Sequence, residues 1–206
     1  MSKIPVAVAI SGGGRTLKNL LEQQHSRAYE VAAVISSSTL CAGNQIAIDH
    51  KLPLLVCDFS AKGQEQAQTQ VGDFLNEHHI AWIALAGFLK PFPVLQAFER
   101  RIINIHPALL PRYGGKGMYG MNVHRAVLDA GDSISGATIH YVTEKYDEGQ
   151  IISQATVDVS DAQDAEGIAK QVFAAECRLY PYTLDLLVKG ETPDHLVIES
   201  QRKTDD

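Results

Sequence analysis

Hydrophobic positions along the chain follow two periods, and the switches between them mark out the elements. Residues 5–11 are apolar almost throughout, the pattern of a strand covered on both faces, and run into Gly12-Gly13-Gly14 before Leu17, Leu20 and Leu21 begin a helical period. The reading is strand, glycine turn, helix. Residues 30–36 predict a second strand, 42–50 a helix, 54–57 a short strand and 64–77 a polar helix. A strand over 81–86 ends at Gly87, and another over 101–105 ends at His106-Pro107. Strands alternating with helices predict a parallel sheet with crossover helices, and the carboxyl ends of such strands are where chemistry gathers.

Residues 111–120 hold four glycines and two tyrosines and predict a surface loop. A short helix over 123–130 follows, then strands over 136–143 and 150–157 flanking the turn 144–149. The last helix covers 164–188, with Ile168, Val172, Phe173, Leu179, Leu184 and Leu187 in an imperfect period and Pro181 predicting a kink or reset. The polar residues 201–206 predict a frayed tail. Neither a repeat nor a linker interrupts this order, so residues 1–206 read as a single domain.

Composition narrows the class. With 45% hydrophobic and 20% charged residues among 206, the chain carries enough apolar material for a buried α/β core, which excludes a disordered class. The net charge of −6 repels a phosphate backbone, so no nucleic-acid partner is expected. No apolar run is long enough to span a membrane, and the first ten residues lack a signal-peptide pattern. Cys41, Cys57 and Cys177 form no C-x-x-C pair, and His25, His50 and His195 show no ligand spacing. Neither disulfides nor a metal site is expected, and the compartment predicted is the reducing cytoplasm.

Three groups of residues carry candidate chemistry. In Ser11-Gly12-Gly13-Gly14-Arg15-Thr16, a strand turns into a helix, so backbone N–H groups and the positive helix end can converge on an anion such as phosphate. The spacing is neither a Walker loop nor G-x-G-x-x-G, and its plain alternative is a tight turn. In Asn104-Ile105-His106-Pro107, strand alternation puts Asn104 and His106 on one side, an amide donor beside a titratable imidazole. Such a pair suits an oxyanion of acyl transfer, although a lone strand-end histidine is more often structural. Asp147, in the turn Lys145-Tyr146-Asp147-Glu148-Gly149, is the candidate carboxylate partner; turn aspartates commonly only form turns. No nucleophile elbow is present, which favours direct attack by a substrate nucleophile.

Together these motifs resemble the phosphoribosylglycinamide formyltransferase family over about residues 5–190. The pieces stand in family order: Ile10-Ser11-Gly12-Gly13-Gly14, Ala86-Gly87-Phe88-Leu89-Lys90, Asn104-Ile105-His106-Pro107-Ala108-Leu109-Leu110-Pro111, Gly136-Ala137-Thr138-Ile139-His140 and Asp147-Glu148-Gly149-Gln150-Ile151-Ile152. The HPxLLP stretch is specific to the wider folate-dependent formyltransferases; the glycine loop and the lack of an added domain favour the glycinamide branch.

The resemblance implies a single α/β domain with a Rossmann-like, mostly parallel twisted sheet flanked by helices. It implies formyl transfer from 10-formyltetrahydrofolate to the glycyl amine of 5'-phosphoribosylglycinamide in de novo purine biosynthesis, through a tetrahedral intermediate and without a metal. By resemblance Asn104, His106 and Asp147 are catalytic, with Thr138 and His140 in support. Gly12, Gly13, Gly14, Arg15, Thr16 and Glu176 would bind the acceptor, and Leu89, Lys90, Tyr141, Val142, Thr143 and Glu144 the folate. Departures from the family pattern fall at Arg15, Lys90, Phe173 and the enlarged 114–121 loop. A formyltetrahydrofolate hydrolase, a sugar-amine formyltransferase and a noncatalytic folate- or nucleotide-binding module remain open alternatives.

Overall fold

The strand Ile4–Ile10 (β1) divides its side chains between two cores. Val6, Val8 and Ile10 pack on one face of the sheet and Ala7 and Ala9 on the other, all fully buried. An apolar run without polar alternation thus makes β1 a central strand. The computed structural model describes residues 2–193. Among them β2 (Tyr29–Ser36), β3 (Leu54–Val56), β4 (Trp82–Leu85), β5 (Ile102–His106), β6 (Ile134–Tyr141) and β7 (Ile151–Asp158) complete one sheet, in the order β3-β2-β1-β4-β5-β6-β7. Pairing is parallel from β3 through β5 and antiparallel from β5 to β7. Helices α1 (Arg15–Gln23), α2 (Gly43–Asp49), α3 (Gln64–Glu77), α4 (Met121–Asp129) and α5 (Ala165–Val188) flank it, giving the α/β, Rossmann-like architecture.

Strand order reverses between β1 and β4. The chain builds outward through β2 and β3, then returns to lay β4 on the other side of β1. Connections diverge at such a switch point and leave a crevice beyond the strand carboxyl ends. Gly12, Gly87 and His106 stand at the ends of β1, β4 and β5, around that crevice.

Helix α5 backs the crevice. Asp164 caps it, its Oδ1 accepting from the Gly167 N–H at 2.8 Å. Tyr180, with no solvent exposure, places its hydroxyl 3.0 Å from the Leu85 carbonyl and 3.2 Å from that of Ile103, tying α5 to β4 and β5. Burial raises this phenol well above the ordinary tyrosine value, so it stays a donor.

Pro181 lies inside α5, which runs as one element from Ala165 to Val188, so the helix does not end and restart there. Leu179, Tyr180, Leu184 and Leu187 on either side are buried in the core, and that packing outweighs the one backbone bond proline cannot donate. The other predicted elements form with ends shifted by a residue or two, α4 starting at Met121 rather than 123. His195 and the tail 201–206 lie outside the described residues. Among the described residues no helix is long and apolar enough to cross a membrane.

Candidate active site

Alternation on β5 sends Asn104 and His106 to one face, and the antiparallel register with β6 sets His140 opposite Asn104. The Asn104 amide nitrogen lies 3.1 Å from His140 Nε2, and His140 Nδ1 lies 2.9 Å from the Tyr141 carbonyl. A carbonyl can only accept, so His140 Nδ1 carries the hydrogen of that bond. Asp147 enters from the turn after β6 with its backbone at φ 56. Its Oδ2 stands 3.5 Å from His106 Nδ1 and its Oδ1 3.5 Å from His140 Nε2, while the Gly115 N–H donates to Oδ2 at 2.9 Å. The turn is tight: a Cβ at Gly149 would overlap the Tyr141 carbonyl oxygen, so glycine is required there.

His106 is 3% exposed and its Nε2 donates to the Tyr113 carbonyl at 2.8 Å. Burial holds this imidazole below the ordinary histidine value, against the pull of Asp147 and of the Tyr113 carbonyl, with His140 adding to the depression. For Asp147, burial pushes the carboxyl up, but the His140 ring, the His106 ring and the Gly115 N–H outweigh it and hold it below the usual aspartate range. The site therefore sets a carboxylate drawn towards its ionised form between two imidazoles, with burial favouring the neutral form of His106.

The other end of the site is the glycine loop. Gly14 precedes α1 in the left-handed region at φ 75, and its backbone touches α2: a Cβ there would lie 2.9 Å from Gly43 Cα. Ser11 Oγ accepts from the Leu89 N–H at 2.9 Å and from the Ser37 hydroxyl at 2.8 Å, joining the loops that follow β1 and β4. Arg15 opens α1 with its guanidinium 4.2 Å from the Phe173 ring centroid, and Glu176 follows Phe173 by one turn of α5. Burial pushes Glu176 up to about 7, with the Arg15 charge pulling it down. His124 on α4 is buried with its Nδ1 unpartnered among the described residues, and it is driven down to about 4 by burial, then by the charges on His106 and Arg15.

A cavity of about 660 Å³ joins the two ends. Its wall includes Asn104, His106, His140 and Asp147; Gly12, Gly13, Gly14, Arg15, Thr16 and Glu176; and Leu89, Lys90, Val142, Thr143 and Glu144. Two predicted residues stand behind the wall. Thr138 is fully buried, its hydroxyl donating to the Ala108 carbonyl at 2.6 Å and accepting from the Leu110 N–H at 3.0 Å, so it braces the turn after His106. The Tyr141 ring lies against the Arg100 guanidinium, 4.6 Å from it. The predicted surface loop 111–120 closes one side of the cavity through Gly115, Lys116, Met118 and Tyr119. Among the described residues no group of three or more His, Cys, Asp or Glu side chains is arranged to hold a metal ion.

Four contributors were not legible beforehand: the Tyr113 carbonyl, the Gly115 N–H, the Ser11 hydroxyl and His124. The first two are backbone groups, which no residue type announces. For His124 a weak signal existed, because it sits between apolar Val123 and Val127 in a short helix and is therefore placed at a buried boundary.

Residues 4–184 match the formyl transferase family, a span from β1 into α5 that holds every site residue above. The phosphoribosylglycinamide formyltransferase of Brucella melitensis is 32% identical, with 94% of this chain and 100% of that one aligned at a TM-score of 0.79. This chain belongs to the phosphoribosylglycinamide formyltransferase family. The enzyme of that name from Anaplasma phagocytophilum superposes at a TM-score of 0.84 over 97% of this chain and 100% of its own, at 29% identity. The chloroplastic phosphoribosylglycinamide formyltransferase of Arabidopsis thaliana is 39% identical over 181 residues, 85% of this chain. The chain spans 62% of the length of that plant relative. Within the phosphoribosylglycinamide formyltransferase fold, then, the crevice at the β1/β4 switch point holds the carboxylate flanked by two imidazoles at its centre and the glycine loop at one end.

Proposed function

We propose that this chain transfers a formyl group from 10-formyltetrahydrofolate to the glycyl amine of 5'-phosphoribosylglycinamide in de novo purine biosynthesis. The observation that carries the reading is Asp147 placed between His106 and His140, with Asn104 beside them, where an anion-binding loop and an apolar-flanked wall meet in one cavity. The phosphate of the acceptor is assigned to Gly12, Gly13, Gly14, Arg15 and Thr16, where loop N–H groups and the positive end of α1 favour negative charge. Glu176 is assigned to the acceptor amine: an approaching ammonium draws this carboxyl to its ionised form, and the carboxylate then takes the proton whose loss leaves the amine as its free base. The folate donor, a substrate that supplies the formyl carbon, is assigned to the wall formed by Leu89, Lys90 and residues 142–144, flanked by Phe88 and Phe92.

The amine attacks as its free base, forming a C–N bond while the formyl oxygen becomes an oxyanion. Asn104 donates its amide N–H to that oxygen, and the developing charge raises the proton affinity of His106, which shares with Asp147 the one proton that the amine releases. Asp147 takes the proton released by the amine, through water, and the proton passes to the donor nitrogen as the old C–N bond breaks. None of these steps uses a metal, a nucleic acid or a membrane. The three free cysteines suit a reducing compartment such as the cytoplasm.

The test is formyl transfer measured with both substrates and with the donor alone. Product formation that requires the acceptor supports the reading; formate release without it identifies a hydrolase instead. Asn104→Ala and His106→Ala should each lower kcat about 10²- to 10³-fold, roughly 2.7 to 4 kcal/mol, as for other oxyanion donors. Wild-type kcat in both would overturn the site.

A further inference from the structure

One loop holds the catalytic pair from both sides. The Tyr113 carbonyl accepts from His106 Nε2 at 2.8 Å, and two residues on, the Gly115 N–H donates to Asp147 at 2.9 Å. Residue 113 thereby decides which ring nitrogen of His106 meets the carboxylate: with Nε2 engaged by the carbonyl, Nδ1 faces Asp147. Yet Tyr113 has its backbone in the left-handed region at φ 57, a conformation that non-glycine residues seldom adopt and that requires a tether.

The tether is on the side chain. The Tyr113 hydroxyl donates to Asp132 Oδ2 at 2.6 Å, and Arg112 reaches the same carboxylate oxygen at 2.9 Å and the Tyr113 hydroxyl at 3.0 Å. The Tyr113 hydrogen bond, then the Arg112 charge, outweigh burial and keep the Asp132 carboxyl below the ordinary aspartate range, so the bond is charge-assisted and short. Asp132 stands just beyond α4, the helix that presents His124 to the cavity. Neither Tyr113 nor Asp132 lines the cavity.

We propose that Tyr113 and Asp132 are positioning residues for His106: their side-chain hydrogen bond anchors residue 113 so that its carbonyl fixes the tautomer and orientation of the catalytic imidazole. The inference rests on the reading that His106 acts at the reacting centre. Besides the carbonyl, the titratable groups around His106 are Asp147, His140 and His124, none of which is replaced by the substitutions at 113 and 132. The Tyr113 carbonyl favours the protonated ring, so loosening it moves the His106 titration to lower pH.

The experiment compares Tyr113→Phe, Asp132→Ala, the double variant and His106→Ala by steady-state kinetics, with the His106 ring followed by NMR titration in the first three. The expected result is a fall in kcat of about tenfold in each single variant with KM for both substrates within about twofold. The double variant should lose no more than either single one, because the two residues act through one bond. The His106 titration should move to lower pH in all three. Wild-type kcat in both single variants, or a loss of kcat with the His106 titration unmoved, overturns the proposal. If His106→Ala itself keeps wild-type kcat, the reading of the site fails; if it loses activity while the single variants do not, only the positioning inference fails.

Discussion

The two carboxylate oxygens of Asp147 are divided between two rings, Oδ2 lying 3.5 Å from His106 Nδ1 and Oδ1 3.5 Å from His140 Nε2. Replacing Asp147 with asparagine keeps size and the tolerance for its left-handed backbone while removing the charge. His106 then loses an interaction that raises its proton affinity, and in the proposed mechanism the amine proton loses its relay. Asp147→Asn is expected to lower kcat about 10²- to 10⁴-fold, the range of general acid–base contributions, with KM for the folate little changed. Steady-state kinetics check this; a large rise in folate KM with kcat preserved would contradict it.

On the proposed assignment Arg15 adds a formal cation to a loop whose N–H groups meet the acceptor phosphate. Arg15→Ala should weaken the phosphorylated acceptor about tenfold to a hundredfold, since a hydrogen bond to a charged group contributes about 1.5 to 3 kcal/mol. Arg15 is exposed, so the smaller figure applies as salt is raised. Calorimetric titration with the acceptor and with its dephosphorylated nucleoside decides the matter. Equal weakening of both ligands removes Arg15 from the phosphate site.

Glu176 makes stability depend on pH. Its folded-state value of about 7 lies above the ordinary 4.5, so the fold prefers the neutral acid. That preference contributes fully below about pH 4.5 and is lost as pH rises through about 7. A rise of this size corresponds to roughly 3 kcal/mol. Denaturation curves at pH 5 and pH 8 should show wild type losing stability relative to Glu176→Gln across that interval, and parallel behaviour of the two proteins would refute the assignment.

Gly14 and Gly13 separate steric need from loop composition. A Cβ at Gly14 meets the Gly43 backbone at 2.9 Å and requires φ 75, whereas one at Gly13 meets nothing within 4 Å. Gly14→Ala should cost about 1 to 3 kcal/mol of stability, as for other strained backbone positions, and Gly13→Ala far less. Denaturant midpoints of the two variants test this, and equal losses would show that the contact with α2 does not matter.

Much of the site was legible because its parts are local. A period of two carries Asn104 and His106 to one face of β5 from their spacing alone. The apolar run before Gly12 and the helical period after Arg15 place the glycine loop at a strand-to-helix turn without knowledge of any other element. At Pro181 local rules alone do not fix whether the helix stops; it continues, because the burial of Leu179, Tyr180, Leu184 and Leu187 is a long-range contribution larger than one missing backbone bond.

By itself, then, the sequence determined the order of the elements, the face each candidate side chain takes on its own strand, and a glycine loop able to meet an anion. These depend on backbone period and steric freedom within a few residues. Tertiary structure alone decided the rest: the β5/β6 register that sets His140 opposite Asn104, and the turn that brings Asp147 between two imidazoles. It also decided the loop whose Tyr113 carbonyl selects a ring nitrogen, and the burial that lowers His106 and raises Glu176. Register, desolvation and charge proximity are properties of groups far apart in the chain, and they take a value only once the sheet and helices have closed around the crevice.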